Sequence, residues 1–213
     1  VRNIILDSYT QLQRGLTELN LTLPRHAQQQ LLDYLALLKK WNRAYNLTAV
    51  RDEEVMISRH LLDSLAIAPY LQGQWFADVG TGAGLPGIPL AIAFPDRHFL
   101  LIDSNGKKIR FITQVIAELH LPNVTAMQCR VEDWQPGRRV DAVLSRAFAS
   151  LTDMAQSCEH LLTSNGALLA MKGVYPEQEL RELPERYKVD ACAPLQVPGE
   201  TGQRHLVIIR PAA

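Results

Sequence analysis

The chain has 213 residues, 47% hydrophobic and 21% charged, with 22 basic residues balancing 22 acidic ones. This is globular composition and excludes a disordered chain; zero net charge means that any nucleic-acid surface must be a local patch. Cys129, Cys158 and Cys192 lie far apart with no metal-ligand spacing, no apolar run approaches a membrane span, and the acidic and polar N-terminal pattern (Asp7, Gln11, Gln13) is unlike a secretory signal, so a cytoplasmic protein without metal is expected.

The length favours one core with an appendage. Residues 3–19 place Ile4, Ile5, Leu12, Leu16 and Leu19 at helical spacing, and Pro24 starts a second helix whose stripe is Leu31, Leu32, Tyr34, Leu35, Leu38 and Trp41. Trp41 is expected to anchor the helical region onto the sheet, and Asn46 to cap the helix or touch RNA. A third helical stretch runs through Val55, Ile57, Leu61, Leu62, Leu65 and Ile67 and ends near Pro69. Residues 1–68 therefore form an N-terminal helical region and residues 69–213 a second unit.

After Gln74 short apolar runs alternate with amphipathic segments. Strands are predicted at 75–79, 98–102, 124–129, 140–144 and 166–171, with helices from 87, over 106–119 and over 150–162. Such alternation indicates parallel strands joined by crossover helices. The chain closes with two strands, 187–197 and 204–210, joined through Pro198-Gly199-Glu200-Thr201-Gly202 as an antiparallel pair.

The segment Phe76-Ala-Asp-Val-Gly-Thr-Gly-Ala-Gly-Leu-Pro-Gly87 closes a strand and opens a helix. Gly80, Gly82 and Gly84 remove side chains where a ligand would approach the backbone, and the helix start supplies N–H donors. Gly82-Ala-Gly84-Leu-Pro-Gly87 also satisfies the dinucleotide pattern GxGxxG. Register favours a different reading: the apolar strand ends at Val79, so Gly80-x-Gly82-x-Gly84 is the operative turn, as in a class I S-adenosylmethionine-dependent methyltransferase. Asp78 then braces the turn or meets the cofactor's amino group, and Asp103, ending the second strand, accepts the ribose hydroxyls. Val131 and Glu132, after the third strand, fall where an adenine ring would sit.

The acceptor is suggested by what is missing. Cys129 precedes Arg130 with no Pro-Cys motif, as a pyrimidine-attacking nucleophile would require, and the fourth strand leads into Ser145-Arg146-Ala147-Phe148-Ala149 rather than an Asn/Asp-Pro-Pro-aromatic motif for exocyclic amines. A ring nitrogen with a free lone pair, such as guanine N7, needs only alignment and desolvation. Phe148 reads as packing, with base stacking as the other use.

Leu38-Leu-Lys-Lys-Trp41-Asn-Arg-Ala-Tyr45-Asn46-Leu-Thr48, Arg59-His60-Leu-Leu-Asp63-Ser64, Asp78 through Pro89, Ser145 to Ala149, Lys172-Gly173 and Arg204-His205-Leu206 together resemble the bacterial small-subunit rRNA guanine-N7 methyltransferases, the RsmG or GidB family, over nearly the whole chain. The resemblance implies methyl transfer from S-adenosylmethionine to N7 of guanine 527 in 16S rRNA, on the 30S subunit or an assembly intermediate. It implies a Rossmann-like, mostly parallel seven-stranded sheet with an antiparallel last strand behind the helical region. It also implies cofactor contacts at Gly80, Leu85, Val131, Glu132 and Arg146. A monomer is expected. Charge and position make Arg59, His60, Lys107, Lys108, Arg110, Lys172, Arg204 and His205 candidate RNA contacts, with Arg146 a candidate at the reaction centre. Two other readings stay open: a methyltransferase acting on another RNA or a small molecule, and a non-catalytic ribosome-assembly module.

Overall fold

The structure is a computed structural model; it describes residues 2–146 and 148–212, with side chains described from Ser8 onward. Its centre is one seven-stranded sheet in the order β3-β2-β1-β4-β5-β7-β6. The strands are β1 (Trp75–Val79), β2 (His98–Asp103), β3 (Val124–Gln128), β4 (Val140–Ser145), β5 (Leu162–Lys172), β6 (Tyr187–Pro194) and β7 (His205–Pro211). Pairs among β1 to β5 are parallel, and β7 runs antiparallel to both β5 and β6. The expected parallel sheet with a reversed last strand is therefore present.

Both faces of the central strands are covered, and residues alternate between two cores. Phe76, Phe99, Leu101 and Leu144 enter one core; Ala77, Val79, Ile102 and Val143 enter the other. The second core is closed by α7 (Leu151–Cys158) through Leu151, Met154, Ala155 and Cys158. The first is closed by α5 (Gly87–Ala93) and α6 (Gly106–Leu119), and it continues without a break into α1 (Arg2–Glu18) and α2 (Arg25–Tyr45).

In α2, Leu31, Tyr34, Leu35 and Leu38 follow the i, i+3, i+4, i+7 spacing and are buried. Gln30 Nε2 donates to Leu119 O at the far end of α6, while Trp41 packs its ring 5.7 Å from that of Phe111. So α2 runs antiparallel to α6, and its C-terminal end reaches the rim where the parallel strands end. Trp41 anchors the helix on α6 rather than on the sheet. Asn46 closes α2 in a left-handed conformation, its N–H donating to Asn42 O.

Elsewhere the boundaries move. The third helical stretch is composite: α3 (Glu53–Met56), a π-helical turn (Ile57–Leu62), α4 (Asp63–Leu65) and a 3-10 turn (Ala68–Tyr70). Its apolar spacing is compatible with either winding, so the wider turn left no mark on the pattern. The helix expected to reach 162 ends at Cys158, followed by a 3-10 turn (Glu159–Leu161), because Leu162 pairs with Val140 and starts β5 early. The β6 strand stops at Pro194, short of 197. The short helix α8 (Glu177–Arg181) was not expected; none of its residues is buried, so no apolar period announces it.

Tyr34 is fully buried and its hydroxyl donates to Ala83 O at 2.8 Å, tying α2 to the glycine turn. Tyr34→Phe leaves that carbonyl without its partner, and urea unfolding should show a loss of about 1–3 kcal/mol.

Candidate functional site

The glycine turn leaves β1 with Gly80, Gly82 and Gly84 at φ +67, +61 and +90, backbone angles that L side chains rarely adopt. Space matters as well at Gly84, where an added Cβ would lie 2.5 Å from Ile88 Cγ1. Asp78 sits beneath the turn with no exposure; its Oδ2 accepts the Thr81 hydroxyl at 2.6 Å and the Gly87 N–H at 2.8 Å. Its Oδ1 is buried without a partner. Burial raises the Asp78 carboxyl to about 6 against the opposing pull of those two bonds. Bracing the turn is thus what Asp78 does here, and the spare oxygen is the part of it able to meet a cationic group.

Asp103, at the end of β2, reaches back to the same turn. Its Oδ2 accepts the Gly82 N–H at 2.9 Å and lies 3.3 Å from Lys108 Nζ, while Oδ1 accepts the Asn105 N–H at 2.9 Å. A carboxylate offers about four acceptor positions, so Asp103 can still take hydroxyls by sharing Oδ1 or displacing the Lys108 ammonium.

These groups border a cavity of about 220 Å³ whose walls include Val79, Gly80, Asp103, Val131, Glu132 and Phe148. It lies across the carboxyl ends of β1, β2 and β3, where open α/β sheets bind ligands. Val131 is buried and offers an apolar surface, whereas Glu132 is exposed with Ser157 Oγ 3.4 Å from its carboxylate. The site fits a nucleoside: an acid for a ribose, an apolar wall for a base and a side-chain-free backbone turn. Gly82 and Gly84 support the turn, and Leu85 packs against the first core outside this cavity wall. Phe148 combines both readings, since it packs against the second core and faces the cavity. Among the described residues no cluster of His, Cys, Asp and Glu could hold a metal ion, and no helix is long and apolar enough to cross a membrane.

Of the basic candidates, Arg146, Lys172, Arg204 and His205 come together around a second cavity, of about 160 Å³, beyond the ends of β4 and β5. Arg59 joins them through Glu200. Lys172 is held by Glu179 at 2.8 Å and by the Phe148 carbonyl at 3.3 Å, and His205 Nδ1 lies 2.9 Å from Gly173 O. Lys107 and Arg110 are exposed on the first turns of α6, on the rim beside Asp103, and Lys108 is committed to Asp103.

His60 lies apart from the other basic candidates: it is 5% exposed and its Nε2 lies 2.9 Å from Thr48 Oγ1, so it supports the loop after α2 and presents almost no surface. Nearby Asp63, to which the sequence assigns no role, is 2% exposed and paired with both Arg146 and Arg204. In the sequence Glu200 is part of a turn; its partner Arg204 is four residues on, but that segment is not helical and gives the spacing no meaning, while Arg59 and both partners of Asp63 lie far away in the chain.

The family model described as rRNA small subunit methyltransferase G matches residues 27–207. The ribosomal RNA small subunit methyltransferase G of Idiomarina loihiensis is 54% identical over 199 residues, covering 93% of this chain and 97% of that protein. Its namesake from Stutzerimonas stutzeri is 52% identical over 211 residues, covering 98% of each. Two solved structures are similar in fold alone. A glycopeptide N-methyltransferase, MtfA, complexed with S-adenosylmethionine has a TM-score of 0.63 at 12% identity, covering 72% of this chain and 88% of that one. The ribosomal protein L11 methylase of Lactobacillus delbrueckii has a TM-score of 0.54 at 18% identity, covering 71% and 77%.

Burial, followed by the Arg146 charge, lowers the His60 pKa from 6.5 to about 4. The unfolded chain therefore binds more protons between these values, and the His60 contribution to stability is lost as pH falls from 6.5 towards 4. Asp78, raised from 3.8 to about 6, acts with the opposite sign, so a difference measurement is needed. The stability of a His60→Gln variant relative to the parent should improve by up to about 3 kcal/mol as pH falls across that window, measured by urea unfolding at stepped pH.

Proposed function

We propose that this chain, which belongs to the rRNA small subunit methyltransferase G family, transfers a methyl group to N7 of guanine 527 in 16S rRNA. The chain is an S-adenosylmethionine-dependent rRNA methyltransferase with the class I fold. One observation carries the finer reading: a nucleoside-sized cavity at the ends of β1 to β3 and a cation-lined cavity at the ends of β4 and β5 are linked where Lys172 of the second donates to the carbonyl of Phe148, which lines the first. A cofactor and a polyanion would meet across the segment between Ser145 and Ser150.

In this reading Asp103 receives the ribose hydroxyls, Gly80, Gly82 and Gly84 admit the cofactor close to the backbone, and Val131 and Glu132 border the adenine. Leu85 shapes the turn, Asp78 offers its unpartnered Oδ1 to the amino group, and Arg146 stands nearest the reaction centre. When bound, S-adenosylmethionine supplies an electrophilic methyl on a sulfonium. A guanine N7 lone pair can take it without a base, and the positive charge passes from sulfur to the purine. What the protein must add is alignment and a dry setting. The site suits that chemistry, because its two turn carboxylates are engaged in bracing rather than poised as bases: Asp78 Oδ2 holds Thr81 and Gly87, and Asp103 holds Gly82 and Asn105.

Arg59, Lys107, Arg110, Lys172, Arg204 and His205 are proposed to meet the RNA, on the 30S subunit or its assembly intermediate, with the protein acting as a cytoplasmic monomer. Residues 1–68 would serve residues 69–213 as a buttress, with Tyr34 as its point of purchase on the glycine turn.

Asp103→Ala should weaken S-adenosylmethionine binding by about 2–4 kcal/mol, measured by calorimetry. Parent-like affinity would remove Asp103 from the site. Methylation of 30S particles and of naked 16S rRNA, followed by N7-specific strand scission, tests the target. Scission at guanine 527 is expected, and scission at another guanine would overturn the assignment.

A further inference from the structure

Beside the cofactor cavity, charged side chains from three distant segments close a ring. Arg146, just past β4, places Nη1 3.1 Å from Asp63 Oδ2. Asp63 Oδ1 accepts from Arg204 Nε at 3.0 Å, Arg204 Nη2 lies 3.4 Å from Glu200 Oε2, and Glu200 Oε1 accepts from Arg59 Nε at 3.0 Å. The Arg59 carbonyl, 3.4 Å from Arg146 Nη1, completes the circuit.

The backbone is shaped to permit this. Gly199, at φ +79, brings the loop between β6 and β7 so close to the π-helical turn that an added Cβ would lie 2.4 Å from Ser58 Oγ. That contact sets Glu200 against Arg59. Arg59 and Asp63 are four apart, a spacing that pairs opposite charges on a regular helix, but here each is paired elsewhere.

The two acids are the inner members. The side chain of Asp63 is 2% exposed and that of Glu200 7%, whereas Arg59 is 52% exposed. Burying ion pairs contributes little net stability, so the arrangement is poorly explained as a fold stabiliser. What it secures is position. Three guanidinium groups face two carboxylates, which leaves one positive charge uncompensated and N–H donors to spare. Arg146 and Arg204 present these to the cavity of about 160 Å³, where Lys172 and His205 add further donors. Among the described residues the cavity wall includes no Phe, Tyr or Trp, and its His205 ring meets Tyr175 edge to face and is bonded through Nδ1 to Gly173 O. Planar forks with excess positive charge match a phosphate.

We infer that Asp63 and Glu200 are positioning residues, holding Arg146, Arg204 and Arg59 as a preformed receptor for one phosphodiester of the substrate RNA beside the base that is methylated. This rests on the RNA-modifying reading above and adds to it the group that the pocket grips. Arg146 is two residues from Phe148, which lines the cofactor cavity, so a gripped phosphate would set the register of the RNA against the methyl donor.

The test compares the parent with Asp63→Asn, Asp63→Glu and Glu200→Gln. For each, the equilibrium Kd for 16S rRNA and the KM for methyl transfer are measured over a series of salt concentrations, with the Kd for S-adenosylmethionine and the Tm alongside. The Asn and Gln variants should raise the RNA Kd and KM about tenfold and flatten the slope of log Kd against log salt by about 0.7–0.9, the equivalent of one phosphate contact. Cofactor affinity of Glu200→Gln, whose carboxylate meets Arg59 and Arg204 but not Arg146, should stay within about twofold of the parent, and Asp63→Glu should recover part of the loss.

An unchanged RNA Kd overturns the proposal. A weaker Kd with the parent's salt slope overturns the phosphate assignment in favour of a base contact. Loss of cofactor affinity and Tm in step with RNA affinity reduces the ring to structural support. If Asp63→Asn does not fold, Glu200→Gln decides by the same criteria. RNA binding is read without transfer, so methylation at an unexpected nucleotide would sink the target assignment and leave this test standing.

Discussion

Asp78 Oδ2 receives the Thr81 hydroxyl and the Gly87 N–H in a position with no solvent exposure, and these two bonds hold the turn between β1 and α5. The site depends on that turn being fixed. An added Cβ at Gly87 would lie 2.8 Å from the same oxygen and 2.9 Å from Leu101, so the start of α5 sits directly against the sheet. The Gly82 N–H then reaches Asp103 on the neighbouring strand, and the Ala83 carbonyl meets Tyr34 from α2. Strand, turn, crossover helix and N-terminal helices are thus referred to one buried carboxylate. Its desolvation is the cost of a rigid backbone cradle, offset by the core around it.

The two cavities divide the labour along the strand ends. At β1 to β3 the protein presents backbone, an acid and an apolar wall, with positive charge supplied by Lys108 against Asp103. At β4 and β5 it presents cations whose counter-charges are buried behind them. A neutral chain can carry a polyanion site this way: it needs no excess of basic residues, only acids held inward and guanidinium groups outward. The helical region contributes to both, through Tyr34 at the first and through Arg59 and Asp63 at the second.

Local rules explain what could be read in advance. The alternation of strands and helices, the reversed final strand, the operative glycine register and Asp103 at the end of β2 all follow from spacing within a dozen or so residues. What could not be read in advance has equally physical reasons. His60 looks like a polar residue beside an arginine, but its position on a π-helical turn against Thr48 buries it. The exposed helix α8 has no buried face to create a period.

The sequence by itself determined the strand and helix order, the positive-φ turn that only glycine fills readily, and the acids that brace and face it, because each depends on neighbours close in the chain. The tertiary structure alone decided which charges work together. Arg59 meets Glu200, and Arg204 meets Asp63, each across 141 residues of chain, on segments brought into contact by Gly199 and the π-helical turn. Ion pairs of that range leave no periodic mark on a sequence. They exist only once the core has closed and water has been removed from the carboxylates that hold them.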